Sequence, residues 1–485
     1  MNYMLEELTD ILDDLIPDED SDIEDSILYA EDFVEMVLHL MEEYVTDDPM
    51  AIADPEFHNV FLDEIGEMVM SQVGHELWRY PDDVITERIE EISEIFYASF
   101  MPRRSHPTTI ILNNNLNIKQ LTKKIDYLRG KPQPAQRTAE WYAFRHKLIT
   151  ASNAYKGFTD GCELNQLIFE KCQPVRVPDT TEKTTPTMVN VDTTLHWGQK
   201  FEPLSVMIYE DKYETKIEDF GCIQHDNYSF LGASPDGINV DKTSLRYGRM
   251  LEIKNIVNRE IDGIPKLEYW VQMQLQMETC DLDECDFVET RFLEYESEAA
   301  FNEDDSDSVE YKGLIMYFTH DGRPIYKYAP LHLSTEELVA WEAEQHEQTE
   351  HVWIRNIYWK VDEFSCVLVQ RNQRWFQDNI STLQEVWKTI EYERVHGFQH
   401  RAPARRTAAT ISKMNNQSEN AGQSGCLISL DKETGQVSVN TGSTMSSSPH
   451  PAPTIMAIDL KIRTESFDDT KEKMSSIVGL NKYAN

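Results

Sequence analysis

LGASPDG at 231–237, followed by MLEIKNI at 250–256, is the stretch on which the reading of this chain turns. Leu231 and Ala233 suit a short strand that Pro235 must terminate, because proline cannot donate to a sheet ladder. That leaves Asp236 at a bend, with Gly237 turning the chain into the next strand. In LEIK the period of two puts Glu252 and Lys254 on one face of a strand and sends Leu251 and Ile253 into the core on the other. A carboxylate and an ammonium would then flank Asp236 on the adjacent strand. Two carboxylates beside a backbone carbonyl are hard oxygen donors, suited to Mg²⁺ or Mn²⁺ rather than to a soft metal. A cation held there would polarise a phosphodiester and activate water, with Lys254 orienting or deprotonating that water.

Working outward, LHWGQKFEPLSVMIYED at 195–211 reads as a helix whose Glu202 would bring a third carboxylate to the same point. YWVQMQLQMETC at 269–280 reads as a second helix. On it Tyr269, Gln272 and Gln276 share a face, while Trp270, Met273 and Met277 supply a buried one. Gln272 would be the polar group nearest a bound phosphate. Each piece has a plainer reading: an E-x-K triplet occurs on many surface strands, SPDG is most often a turn, and a helix Glu is most often solvated. The order helix Glu, strand-end Asp, strand E-x-K, helix Gln within some seventy residues is far harder to obtain by accident.

The charge looks wrong for phosphate chemistry until its distribution is seen. The formal net charge of the 485 residues is −41, of which residues 1–100 hold −28, from 30 Asp or Glu against only Arg79 and Arg88. Residues 101–156 carry 11 Lys or Arg against Asp126 and Glu140, a local excess of +9 that fits a phosphate-contacting surface. The seven cysteines include no CxxC pair, which argues against a disulfide framework and a four-thiolate metal site. Cys280 and Cys285 read as packed free thiols. The acidic opening MNYMLEELTDILDD is unlike a signal peptide, and no run approaches the ~20 apolar residues of a membrane span. The expectation is a soluble, intracellular protein.

Apolar residues at helical spacing among acids, Leu5, Leu8, Leu12 and Leu15, then Phe33, Val37, Leu40 and Met41, predict an acidic helical domain over 1–100. Pro102, Pro107 and the asparagines at 113–115 end it. A basic amphipathic helix at 116–128 and the linker GKPQP at 130–134 fill 101–136. From 137 to 398 helices alternate with the β-rich runs YSFLGAS, RMLEIKNI, CDFVETRFLEY and GLIMYF, so the fold class is α/β. A final helix over 370–396 presents Trp375, Phe376, Ile380, Leu383, Trp387 and Ile390. Residues 399–485, rich in Ser, Thr, Asn, Gly and Pro up to 452, read as a mostly disordered tail, with the basic RAPARR at its edge.

RTAEWYAFRHKLITAS at 137–152, LHWGQKFEP at 195–203, LGASPDG, LEIKN and WVQMQLQM at 270–277 together resemble the YqaJ-type viral recombinase family, the lambda-exonuclease-like branch of the PD-(D/E)xK nucleases. The resemblance spans about 137–390. It implies a restriction-endonuclease-like core, a mixed central β-sheet flanked by helices, and two Mg²⁺ (or Mn²⁺) ions held by Glu202, Asp236, Glu252 and the carbonyl of Ile253. Lys254 and Gln272 match the family's lysine and helix glutamine. In its first motif Arg145 stands one turn from Trp141, with Ser152 near the helix end; Arg145, Ser152 and Ser234 match the residues that hold a DNA 5′-phosphate in lambda-like enzymes. The activity implied is a 5′→3′ exonuclease on double-stranded DNA ends, serving recombination, repair or genome processing. The implied partners are duplex DNA, a single-strand annealing protein and further copies of the chain. A plainer reading makes Trp141 a core anchor and Arg145 a surface ion pair; His146 and His196 read as structural. The long polar insertion at 172–194 and the acidic loop at 303–310 depart from the pattern. The N-terminal extension resembles nucleases of large eukaryotic DNA viruses, which would place the protein in an infected cell, in a cytoplasmic factory or the nucleus. A structure-specific endonuclease on the same core and a non-catalytic DNA-binding or assembly protein remain open alternatives.

Overall fold

The alternation in MLEIKN is realised as a central strand covered on both faces. The computed structural model describes residues 27–111, 116–136, 138–175, 191, 193–304, 309–347, 351–402, 427–430 and 437–440. Leu5, Leu8, Leu12, Leu15, the asparagine run, most of the 172–194 insertion, half of the 303–310 loop and nearly all of the tail lie outside these residues. The chain divides into two units, Met1–Pro403 and Ala404–Asn485. Of the second, the described residues are an antiparallel strand pair, Leu427–Leu430 with Val437–Asn440.

The first unit begins with helices α1 (Glu31–Asp47), α2 (Phe57–Leu77) and α3 (Asp82–Ser99). Phe33, Val37, Leu40 and Met41 of α1 are buried, as their spacing requires, and Phe61 and Phe96 meet at 5.7 Å in the interior. Helix α4 (Ile118–Gly130) leads to α5 (Ala139–His146), strand β1 (Ile149–Thr150), α6 (Ala151–Ala154) and α7 (Cys162–Cys172). Then come α8 (Thr194–Lys212), β2 (Ile217–Glu218), β3 (Ile223–Gln224), β4 (Leu231–Ala233), β5 (Gly237–Asn239) and β6 (Met250–Asn255). Helix α9 (Leu267–Cys280), β7 (Glu284–Glu294), α10 (Glu298–Glu303), β8 (Lys312–His320), β9 (Arg323–Tyr328), α11 (Thr335–Glu347), β10 (Val352–Gln370) and α12 (Gln373–His396) complete the unit.

The main sheet has the order β2-β5-β6-β7-β10-β8-β9. It is mixed, because β6 and β7 run parallel while every other pair is antiparallel. The parallel pair needs a crossover, and α9 supplies it. A smaller sheet, β1-β4-β3, sets β1 parallel to β4 with Thr150 opposite Gly232. The expected mixed sheet flanked by helices is therefore present, with helices α1 to α3 ahead of it. On one face Leu251 and Ile253 pack with Tyr209 of α8, Ile217 and Val288. On the other, α9 covers Glu252.

Strand β10 pairs along its second half with β7 and along its first half with β8. The remaining edge of its second half is met by the segment entering from the acidic helices: the N–H groups of His106 and Thr109 donate to the carbonyls of Leu368 and Cys366 at 2.9 and 2.8 Å. Asp286, fully buried on β7, anchors that segment and α8 together. It accepts from Thr109 at 2.8 Å and Tyr209 at 2.6 Å and is paired with both Arg246 and Arg249. A buried carboxylate survives only when so satisfied.

Candidate active site

Two glycines of LGASPDG explain why this loop can lie where it does. A Cβ on Gly232 would meet Leu148 Cδ1 at 2.6 Å, and one on Gly237 would meet Ile217 Cγ2 at 2.3 Å. Between them, Pro235 ends β4 and Asp236 enters the edge of β6. The Asp236 N–H donates to Leu251 O at 3.1 Å, and its Oδ2 accepts from the Ile253 N–H at 2.7 Å. Asp236 thus stands in for a further residue of β5. The carbonyl of Ile253 leaves the strand on the same edge as its N–H, beside the Asp236 carboxylate.

Glu252 is fully buried beneath α9. Its two oxygens accept from the side-chain amides of Gln272 and Gln276, each at 2.8 Å, and Lys254 Nζ pairs with Oε1. The Gln276 amide also reaches Ser234 O at 3.1 Å, tying the SPDG turn to the same helix. Lys254 lies over the Tyr269 ring, 4.8 Å from its centroid. Burial alone would lower the pKa of Lys254, but the charges of Glu252 and Asp236 outweigh it and hold the ammonium above its usual value. Asp236 goes the other way. Burial raises its carboxyl well above the ordinary range, the charges of Glu252 and Glu202 add to this, and Lys254 and the Ile253 N–H oppose it.

Glu202 reaches this centre from the other side of the sheet. It lies on α8, which is locked to the end of β6 by Asn255: Ser205 donates to Asn255 Oδ1 at 2.7 Å, and Asn255 donates to Gly198 O at 3.2 Å. Glu202 is one turn from each of these residues. Its exposed carboxylate is close enough for its charge to act on Asp236. The structure therefore gathers Asp236, Glu252, Lys254 and Gln272 at β6, with Glu202 on α8 near enough for its charge to be felt there. Among the described residues no three His, Cys, Asp or Glu side chains form a ready-made cage for a metal ion. Glu252 is instead held by its two glutamines and by Lys254.

The second cluster lies at the parallel β1/β4 ends. Arg145 stacks on Trp141, 4.7 Å from the ring centroid. Arg145 and Ser234 both lie close enough to the buried Cys222 thiol to act on it: burial raises its pKa and those two groups hold it back. Ser152 opens onto solvent two residues past β1, with its hydroxyl 3.4 Å from that of Thr150. The β1/β4 register puts Ser152 and Ser234 at matching positions just beyond adjacent strands. Trp141 is only half-buried and, among the described residues, its indole N–H has no partner. His146 and His196 accept structural roles, bonded to Gln173 O at 2.8 Å and Tyr326 at 2.6 Å. Cys280 and Cys285 are buried free thiols.

Sequence reasoning missed the second amide on Glu252, although the i, i+4 spacing of Gln272 and Gln276 was its signal. It also missed Asn255, Cys222 and Lys171. Lys171 donates from Nζ to Arg145 O at 3.0 Å, and Arg394 of α12 donates to Lys171 O and His146 O, both at 2.8 Å. Together they close the C-terminal ends of α5 and α7 and fix where Arg145 starts.

Residues 140–283 match the family described as the YqaJ-like viral recombinase domain, and both clusters lie within the matched stretch. An uncharacterized protein of Acanthamoeba polyphaga mimivirus is 24% identical over 371 residues, which is 67% of this chain and 65% of that protein. Two solved structures are also similar. The alkaline exonuclease of Laribacter hongkongensis is 20% identical, with a TM-score of 0.30, over 53% of this chain and 95% of its own. A phage-related exonuclease from Haemophilus somnus 129PT is 11% identical, with a TM-score of 0.28, over 51% and 96%. No helix of the described residues is long and apolar enough to cross a membrane.

Proposed function

We propose that this protein is a metal-dependent deoxyribonuclease of the PD-(D/E)xK type, acting as a 5′→3′ exonuclease on ends of double-stranded DNA. The observation that carries the proposal is the convergence of Asp236, Glu252, Lys254 and the charge of Glu202 on one edge of β6. Asp236 is buried under the charges of Glu252 and Glu202, a repulsion that a divalent cation would relieve. The donor set is all oxygen, which fits Mg²⁺ or Mn²⁺. Glu202, Asp236, Glu252 and the Ile253 carbonyl would hold the metal, two ions if all donors are used. Once bound, it would polarise the phosphodiester and lower the pKa of the attacking water.

The chain's own groups do the rest. Gln272 and Gln276 fix both oxygens of Glu252, so its orientation is set before substrate arrives. Lys254, held as an ammonium, orients the nucleophilic water and offsets charge building on the phosphate. Arg145 and Ser234, both near the Cys222 thiol, with Ser152 at the neighbouring strand end, would supply a guanidinium and hydroxyls for a terminal 5′-phosphate. That second cluster favours an end-dependent exonuclease over an endonuclease on the same core.

Glu252→Ala or Lys254→Ala should abolish release of label from end-labelled duplex in Mg²⁺; full activity in either variant would sink the proposal. Comparing 5′-phosphorylated, 5′-hydroxyl and covalently closed duplexes tests the polarity. The 5′-phosphorylated end should be preferred, and the closed circle should survive.

A further inference from the structure

A cavity of about 230 Å³ opens between the first turns of α8 and the far end of the main sheet. Trp197 and Lys200 enter it from α8, Tyr317 from β8, Tyr326 from β9, Arg355 from β10 and Glu294 from β7. Strands β7 to β10 lie beyond residues 140–283, so this wall is not part of the matched domain. Its aromatic rings are held in place before any ligand arrives. Lys200 Nζ sits 4.5 Å from the Trp197 ring centroid, Tyr326 bonds His196 at 2.6 Å, and Tyr317 lies 5.1 Å from Tyr326. Lys200 is paired with Glu294, and Arg355 approaches the same carboxylate at 3.6 Å. Arg355 is exposed, which leaves its guanidinium open to a ligand at the cavity. The Trp197 indole N–H is buried without a partner among the described residues.

Flat aromatic walls beside an exposed guanidinium recognise a base by stacking and a phosphate by charge, which is the chemistry of single-stranded nucleic acid binding. Position points the same way. Lys200 is two residues before Glu202 but on another face of α8, and Val257, at the cavity edge, is two residues past Asn255 at the end of β6. We propose that this cavity holds one nucleotide of single-stranded DNA, its base against Trp197 and Tyr326 and its phosphate beside Arg355. The proposal rests on the nuclease reading only for the source of that strand, which would be the duplex being opened at the carboxylate centre.

The test uses the full chain in EDTA, where no cleavage occurs, with fluorescein-labelled dT12 read by anisotropy. Arg355→Ala, at an exposed position that should not disturb folding, should weaken binding about tenfold. Arg323→Ala, an equal loss of charge at the exposed tip of β9, should change it less than about twofold. A 5-iododeoxyuridine oligonucleotide should crosslink to peptides containing Trp197 or Tyr326. Absence of dT12 binding, equal losses in the two arginine variants, or crosslinks confined to other peptides would each overturn the cavity assignment. Those results leave the nuclease reading standing if the chain still degrades duplex ends in Mg²⁺. Conversely, position-specific loss in Arg355→Ala without any cleavage by the wild type would support the cavity and defeat the nuclease.

Discussion

Gln276 illustrates how much of this centre depends on groups that would not themselves touch substrate. Its amide bonds Glu252 Oε2 and Ser234 O, linking the strand carboxylate to the turn that carries Asp236. Gln276→Leu would leave a buried carboxylate oxygen without its donor, a loss of about 1–3 kcal/mol in stability. Activity should fall about 10- to 100-fold. Urea unfolding and single-turnover cleavage check the two effects, and an unchanged cleavage rate would show that Gln272 alone positions Glu252. Lys171 gives a pH signature. Burial, helped by the charges of Arg145 and Arg394, pushes its ammonium down to about 8. The unfolded chain keeps that proton up to lysine's ordinary pKa near 10.4. Between these values the unfolded state binds more protons, so native stability rises with pH across that window, by no more than about 3 kcal/mol. Lys171→Met should flatten the rise, as measured by Tm at pH 7.5, 9 and 10. The alternation of LEIK is a property of adjacent residues and could be read from sequence. What lies across from each side chain could not.

At the level of elements, the site is a strand edge completed by a turn. Gly237 lets β5 run against β2, and the 2.3 Å that a Cβ would leave to Ile217 allows no side chain there. Gly237→Ala should cost about 1–3 kcal/mol through overpacking and displace Asp236 next to it. The expected result is a lower denaturation midpoint together with weaker Mg²⁺-dependent cleavage; a fully active variant of normal stability would contradict the geometry. Helices α8, α9 and α12 were visible in sequence because their apolar residues recur at helical spacing. Strand β10 was not singled out, although its 19 residues form the longest strand among the described residues. Its first residues are exposed and its last are buried, because it leaves one partner for another midway. No single period describes such a strand. Asn255 escaped notice for a related reason: it follows the LEIK motif, but its value lies in holding α8, about fifty residues earlier, so that Glu202 reaches Asp236.

In the molecule as a whole, the acidic helices are built into the same unit as the sheet. The Arg104 guanidinium is buried between the carbonyls of Ala53 and Pro265, and Trp270 of α9 donates to Arg104 O at 2.8 Å. Arg374 of α12 reaches Glu42 at 3.5 Å and Thr46 at 2.8 Å on α1. Removing residues 27–100 would strip partners from Arg104 and α12 and expose the apolar surface beneath them. A chain beginning at 101 should melt several degrees lower than the full chain by calorimetry. An unchanged Tm would show that the helices are a detachable appendage, and would favour their acting as a displaceable acidic cover for the basic surface.

The sequence alone determined the local logic of the centre: proline and glycine placed Asp236 at a bend, period two put Glu252 and Lys254 on one face, and helical spacing grouped Gln272 with Gln276. These follow from backbone stereochemistry over a few residues. Tertiary structure alone decided that Glu202 acts on Asp236, that both glutamines clamp Glu252, that Arg145 and Ser234 both lie near Cys222, and that an aromatic cavity stands beside α8. Each of these joins residues far apart in the chain. Which distant groups meet depends on strand order and on the packing of whole faces, and no local periodicity records that.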